Sequence, residues 1–169
     1  MNSEKDSIDE VQRQWTRILP ALDTSPMVIT GRIRYLAQAI QAGSDEVLAQ
    51  QGLTRADFDI LSVLVRSGRA LSPTEITVQS LISAPGTTKR IKKLESDGLV
   101  NRILNPNDKR GYLIEPTNHA LEIFQPVVES ISDYERTLLG KLEPRDVIQL
   151  TESLRAFVSA VRESKTESD

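Results

Sequence analysis

A cluster of cationic side chains in the middle of the chain is the feature with the clearest chemistry. Within residues 83–112, seven side chains are positive and three are negative, so this segment carries +4, whereas the whole chain of 169 residues carries −3. The rest of the chain therefore carries −7. An acidic protein with one basic segment is typical of a local site for a polyanion. The seven cations are Lys89, Arg90, Lys92, Lys93, Arg102, Lys109 and Arg110.

Composition narrows the classes of function. The absence of cysteine excludes disulfides, thiolate metal sites and thiol redox chemistry. A single histidine, His119, argues against a histidine metal site or a Ser/His nucleophile, and no phosphate loop is present. We therefore expect no metal or other cofactor and no enzymatic activity, with a helical enzyme as the rival class. The polar start and the lack of any apolar run of about 18 residues predict a soluble cytoplasmic protein with no membrane contact.

Apolar residues recur with helical spacing, and start signals divide the chain into helices. The first helix should begin near Ser7 and carries Trp15. The second should begin at Ser25, with Pro26 in the first helical position, and Thr54 should cap the third. These signals predict a mainly α fold.

A short helix followed by a basic helix comes next. Ser72 and Glu75 have capping-box spacing, Ser83 is a second cap, and Gly98 is placed to end the basic helix. At about 100° per residue, the wheel of the basic helix places cations opposite its apolar side. The predicted inner residues are Ala84, Thr87, Thr88, Ile91 and Leu94. Gly86, Lys89 and Lys93 face outward, and Arg90 and Lys92 lie on the flanks.

Two short β-branched strands enclose the turn sequence NPNDKRG at residues 105–111, which predicts a hairpin with a basic tip. A capped helix, a turn, a basic helix and a hairpin together make a winged helix-turn-helix, whose second helix fits the major groove of double-stranded DNA. The long, always charged side chain of Arg110 suits a narrow minor groove. A solvated basic helix face, or a winged helix used only for protein contacts, stays open. The predicted DNA contacts are Ser83, Pro85, Gly86, Thr87, Thr88, Lys89, Arg90, Lys93, Lys109 and Arg110.

The segment from LTRADFDILSVL to the strand that ends at Thr117 resembles the MarR family of bacterial transcription regulators. The wing tip, Asp108, Lys109 and Arg110, is similar to that family's D-x-R-R pattern, with lysine where arginine is commoner. The resemblance covers about residues 7–160. It implies a winged helix-turn-helix fold with a small β-hairpin wing and an intertwined homodimer.

This resemblance, together with the helix signals, divides the chain into four parts. Residues 1–50 form N-terminal helices for dimerisation and part of a ligand site, and residues 51–116 form the DNA-binding domain. Residues 117–162 form two further dimerisation helices, interrupted at Gly140 and resumed at Pro144. The tail 163–169 is expected to be disordered.

Residues 14–33 resemble the N-terminal helix and following segment of the urate-responsive, PecS-like subgroup. That resemblance implies a repressor that a small aromatic anion, urate or a phenolic acid, releases from DNA. Its implied ligand set is Trp15, Asp59, Arg90 and Arg102. Alternatively, Trp15 is a packing anchor, Arg102 is tied to Asp59 or to the recognition helix, or the protein binds DNA without any ligand.

Overall fold

The computed structural model describes residues 5–80, 82–106, 108 and 111–166. The chain forms two compact units, Met1–Val127 and Val128–Asp169. The elements in chain order are α1 (Ser7–Ile18), α2 (Ser25–Gln50), α3 (Arg55–Ser67), α4 (Pro73–Ser80), α5 (Ala84–Ser96), β1 (Val100–Leu104), β2 (Tyr112–Pro116), α6 (Asn118–Leu139) and α7 (Pro144–Thr166).

The starts of the first two helices agree with the sequence. α1 begins at Ser7, and its N-cap is Asp6, whose carboxylate accepts hydrogen bonds from the N–H groups of Ile8 and Asp9. α2 begins at Ser25 with a proline in its first turn. The guanidinium of Arg32 in α2 donates hydrogen bonds to the carboxylates of Asp6 and Asp9, at 2.8 Å in each case. The two carboxylates that start α1 therefore also attach it to α2.

The winged helix-turn-helix has its own apolar core within the first unit. β1 and β2 pair antiparallel, and Leu71 forms an isolated bridge with Ile114, so the segment before α4 is hydrogen-bonded to the wing. α3, α4, α5, the two strands and Leu71 contribute side chains to this core that have at most 2 % of their surface exposed. These side chains are Ile60, Leu61, Val63, Leu64, Leu71, Ile76, Ile91, Leu94, Val100 and Ile114. This core positions α5 and the wing.

The second unit contains the end of α6 and all of α7. α6 ends at Leu139 beside Gly140, and α7 begins at Pro144, as the sequence predicted. α7 continues to Thr166, four residues beyond the boundary at 162 that the sequence suggested for the start of a disordered tail. None of the helices that the structure describes is long and apolar enough to cross a membrane.

Candidate nucleic-acid interface

α5 has a buried face and an exposed cationic face. Thr87, Ile91 and Leu94 have at most 1 % of their surface exposed, whereas Lys89 and Lys92 are exposed. The sequence placed Thr87, Ile91 and Leu94 correctly as inner and Lys89 correctly as outer, and it placed Lys92 on a flank. Ala84 and Thr88, which it placed inside, are exposed instead. The outer face of α5 therefore presents polar and positive side chains near the helix N-terminus, where free N–H groups favour phosphate.

One predicted DNA contact is wrong. The side chain of Thr87 is fully buried, and its hydroxyl donates to the carbonyl of Ser83 at 3.2 Å. Thr87 lies four residues before Ile91, so it is on the helix face that packs into the core. Its neighbour Thr88 is exposed, with its hydroxyl donating to the carbonyl of Ala84 at 3.1 Å. Thr88 is thus the threonine that faces solvent.

The first turn of α5 is narrow because of a glycine. A Cβ on Gly86 would lie 3.0 Å from Cγ2 of Ile82 and 3.1 Å from Oγ of Ser83. Ser83 occupies the N-cap position, as predicted, but its hydroxyl caps no helix N–H within the described part of the chain. Pro85 follows in the first turn. The serine hydroxyl and the backbone of this turn are therefore available to a phosphate.

A buried carboxylate on α3 holds two cations of α5. Asp57 has no exposed surface, and its Oδ1 lies 3.5 Å from Nη1 of Arg90 while its Oδ2 lies 3.6 Å from Nζ of Lys93. Oδ2 also accepts from the N–H and hydroxyl of Thr54, at 3.1 and 2.6 Å. Among the described residues, Oδ1 accepts no hydrogen bond. Asp57 therefore joins the start of α3 to α5, the recognition helix predicted to enter the major groove. Its Oδ1 is a buried oxygen whose hydrogen-bonding capacity is not satisfied.

Lys93 is shared between two carboxylates. Its ammonium lies 2.7 Å from Asp97, four residues further along α5, and this hydrogen bond is the main cause that raises the pKa of Lys93. Burial opposes the rise in pKa, and Asp57 adds to it. Lys93 therefore stays charged, but carboxylates of its own chain hold it. Of the predicted DNA contacts on α5, Lys89 is a cation with no such partner among the described residues.

Sequence reasoning named Thr54 as the cap of this helix and did not select Asp57 for the site. The available signal was its position: Asp57 precedes Ile60 and Leu61 by three and four residues, which places it on the inner face of α3. Asp59, the residue predicted for the ligand site, is only partly exposed, and burial raises the pKa of its carboxyl. In the described structure, Asp59 has no hydrogen bond or ion pair, and Arg90 pairs with Asp57 instead.

Arg102 connects the wing to the recognition helix. Its Nη2 lies 2.9 Å from Oε2 of Glu95 in α5, and its guanidinium carbon lies 4.1 Å from the ring centre of Tyr112 in β2. Of the two structural roles that the sequence left open, attachment to the recognition helix is confirmed and attachment to Asp59 is not found. Arg102 is therefore already held on two sides.

The base of the wing tip is compact. The N–H of Gly111 donates to the carbonyl of Asp108 at 2.9 Å, and a Cβ on Gly111 would lie 2.8 Å from Oδ2 of Asp108. A larger residue at this position would therefore displace the Asp108 side chain. Lys109 and Arg110, the predicted wing contacts, lie outside the described residues. Trp15, the predicted ligand-stacking residue, is exposed on α1.

Comparison with known proteins shows which proteins share this sequence pattern and fold. A family model described as MarR family matches residues 51–111. The HTH-type transcriptional regulator PecS of Dickeya dadantii (strain 3937) is 28% identical over 145 residues, which are 85% of this chain and 87% of PecS. The apo form of wild-type MarR from E. coli is 26% identical with a TM-score of 0.67, covering 75% of this chain and 95% of that one. The chain is therefore similar to MarR-family regulators in sequence and in fold.

These similarities confirm the winged helix-turn-helix fold, and the similar proteins are transcriptional regulators, not enzymes. Another similar structure is the C80S mutant of E. coli MarR complexed with operator DNA. It is 24% identical with a TM-score of 0.68, and covers 85% of this chain and 96% of the other. It supports the same fold.

The capping box of α4 predicts an acid-sensitive contribution to stability. Glu75 accepts from Arg69 at 2.7 Å and from the N–H and hydroxyl of Ser72, and these hydrogen bonds lower its pKa from 4.5 to about 2. Because the native pKa is depressed, the stabilisation is present above pH 4.5 and is lost as the pH falls toward 2.

We expect Glu75→Gln to lower stability at pH 7 by no more than about 1 kcal/mol, since glutamine can still cap and the lost ion pair is exposed. The variant should also lose less stability than the unaltered protein between pH 4.5 and 2. Urea unfolding at several pH values measures both effects. Parallel pH profiles for the two proteins would contradict the assignment.

Proposed function

We propose that this chain is a MarR-type regulator that binds a pseudo-palindromic DNA operator with α5 in the major groove and the wing in the adjacent minor groove. The observation that carries the proposal is the exposed outer face of α5, where Pro85, Thr88 and Lys89 lie opposite a fully buried inner face. The proposed contacts are the N-cap Ser83, then Pro85, Gly86, Thr88 and Lys89 from α5, with Lys109 and Arg110 from the wing. Arg90 and Lys93 join them only if they leave Asp57.

The operator-bound form is a homodimer. A single chain leaves many large apolar side chains of α1, α2 and α7 exposed, and exposed apolar surface on this scale marks a protein contact. The exposed side chains are Val11, Trp15, Ile18, Ile29, Tyr35, Leu36 and Ile40 in the first unit, and Ile148, Leu150, Leu154, Phe157, Val158 and Val161 in the second. Two half-sites should then lie about 10 bp apart, or a multiple of that spacing. Light scattering gives the mass in solution, and a monomer would contradict this part.

The effector is a small aromatic anion, with urate and phenolic acids as candidates, and its binding releases a repressor. Support comes from the similarity to PecS and from the carboxylate beside Arg90: a buried, unsatisfied Oδ1 on Asp57 holds that guanidinium loosely at 3.5 Å. An anion that pairs with Arg90 would draw it away from Asp57 and shift α5. Such a ligand favours the form of the protein in which it binds more tightly. Trp15 would stack on the ring.

We expect urate at 100 times its dissociation constant to stabilise the protein by roughly 2.7 kcal/mol. Trp15→Ala and Arg90→Ala should each abolish the resulting shift in melting temperature. The pair Asp57→Asn and Asp59→Asn decides between the two carboxylates, because only the variant at the true ligand position should change the shift. Xanthine and phenolic acids tested in parallel define the class of ligand.

A gel shift with promoter DNA tests the whole proposal. The protein should retain the DNA at low salt, and urate should release it at concentrations that also raise the melting temperature. If none of the compounds tested changes the affinity for DNA, the result would favour a ligand-independent DNA-binding protein. Failure to bind any genomic fragment at low salt would leave a winged helix used for protein contacts.

A further inference from the structure

The wing is attached to α5 at two levels. At its base, the N–H of Leu99 donates to the carbonyl of Leu94, and the hydroxyl of Thr117 donates to the carbonyl of Gly98, at 2.8 Å in each case. These contacts hold the ends of the hairpin, and two backbone hydrogen bonds between Leu71 and Ile114 attach β2 to the segment before α4. The second level is the ion pair that Arg102 makes further along β1.

Arg102 contacts three elements at once. It lies in β1 opposite Ile114 of β2, its guanidinium covers the ring of Tyr112, and the same group donates to Glu95 in the last turn of α5. A planar guanidinium can stack on an aromatic ring with its face while its edge pairs with a carboxylate. The side chain of Arg102 is only 32% exposed, so solvent screens it less than a fully exposed ion pair. A lysine could not make both contacts in this geometry.

We propose that Arg102 is a positioning residue that fixes the angle between the wing and the recognition helix. With this angle fixed, the wing tip and α5 are already oriented to enter neighbouring grooves of one half-site when the protein meets DNA. This proposal rests on the proposed DNA binding, but it assigns Arg102 a role other than that of a ligand contact. Glu95 and Tyr112 are the two side chains that hold Arg102 in place, and neither was among the predicted site residues.

The angle can be measured without DNA, because the chain contains no cysteine and labels can be placed at will. Spin labels at Leu104, which is 84% exposed on the wing, and at Lys92 on α5 report their separation by pulsed electron spin resonance. Labelled protein is mixed with excess unlabelled protein so that distances between subunits do not contribute. We expect Glu95→Gln and Tyr112→Leu to broaden the distance distribution, whereas Tyr112→Phe, which keeps the ring, should not.

The second readout is the hydroxyl-radical footprint on an operator. Glu95→Gln and Tyr112→Leu should remove protection at the wing positions, keep protection at the α5 positions, and weaken binding about tenfold, the equivalent of one lost phosphate contact at 0.1 M salt. The charge-swapped pair Glu95→Arg with Arg102→Glu should recover part of the wing protection. If wild-type protein binds no DNA, the proposed function fails. The distances between the labels then support or overturn the positioning role of Arg102 by themselves. Unchanged distance distributions in Glu95→Gln and Tyr112→Leu would overturn it.

Discussion

Asp57→Ala should destabilise the protein by about 3 kcal/mol, which is the largest effect we expect from a single polar substitution. The change removes the capping box of α3, a loss of about 1 kcal/mol, and deprives Arg90 and Lys93 of a buried partner. Breaking a buried ion pair by removing one member costs about 3–5 kcal/mol, but both cations here are partly exposed and can turn to water, so we expect less. Urea unfolding followed by circular dichroism measures the change.

Asp59→Asn is the matched control, two residues further along the same helix. Burial raises the pKa of the Asp59 carboxyl, so its ionised form weakens the fold at pH 7, and stability rises as the pH falls through the native pKa. Removing this charge should therefore not destabilise the protein. A loss of stability at position 59 as large as that at position 57 would show that Asp57 has no special role.

Lys89→Ala combined with Arg110→Ala should weaken operator binding about 100-fold at 0.1 M salt. Each phosphate contact contributes a slope of roughly 0.9 in a plot of log affinity against log salt, which is close to a factor of ten between 0.1 and 1 M. Two lost contacts should therefore also lower the slope by about two. Fluorescence anisotropy over a salt series measures both quantities.

Lys141→Ala provides the control for the double variant. Lys141 is an exposed cation in the connection between α6 and α7, outside the proposed interface. Its removal alters net charge by one unit without removing a proposed contact, so affinity and slope should stay close to those of the unaltered protein. A double variant that keeps the original salt slope would remove Lys89 and Arg110 from the interface.

Local signals in the sequence determined the order and the limits of the elements. The Ser25–Pro26 pair, the capping box at Ser72 and Glu75, and Gly98 each act within a few residues, and each marks a boundary that the structure reproduces. The excess of cations in residues 83–112 was equally visible, since it depends on composition alone. These features needed no knowledge of distant parts of the chain.

The partners of individual charged groups were decided only by tertiary packing. Asp57 and Asp59 both follow Thr54 in α3, and it is the crossing of α5 over the inner face of that helix that pairs Arg90 with Asp57. Thr87 and Thr88 are adjacent, and the core at Ile91 and Leu94 selects which of them is buried.

Arg102 shows the same limit for the wing. Its partners, Glu95 and Tyr112, are seven and ten residues away in sequence and come from a helix and the opposite strand. A periodic pattern gives the direction of a side chain relative to its own element, but an ion pair within 4 Å depends on where two elements cross. Coulombic attraction falls with distance, so only that crossing determines which charges are joined.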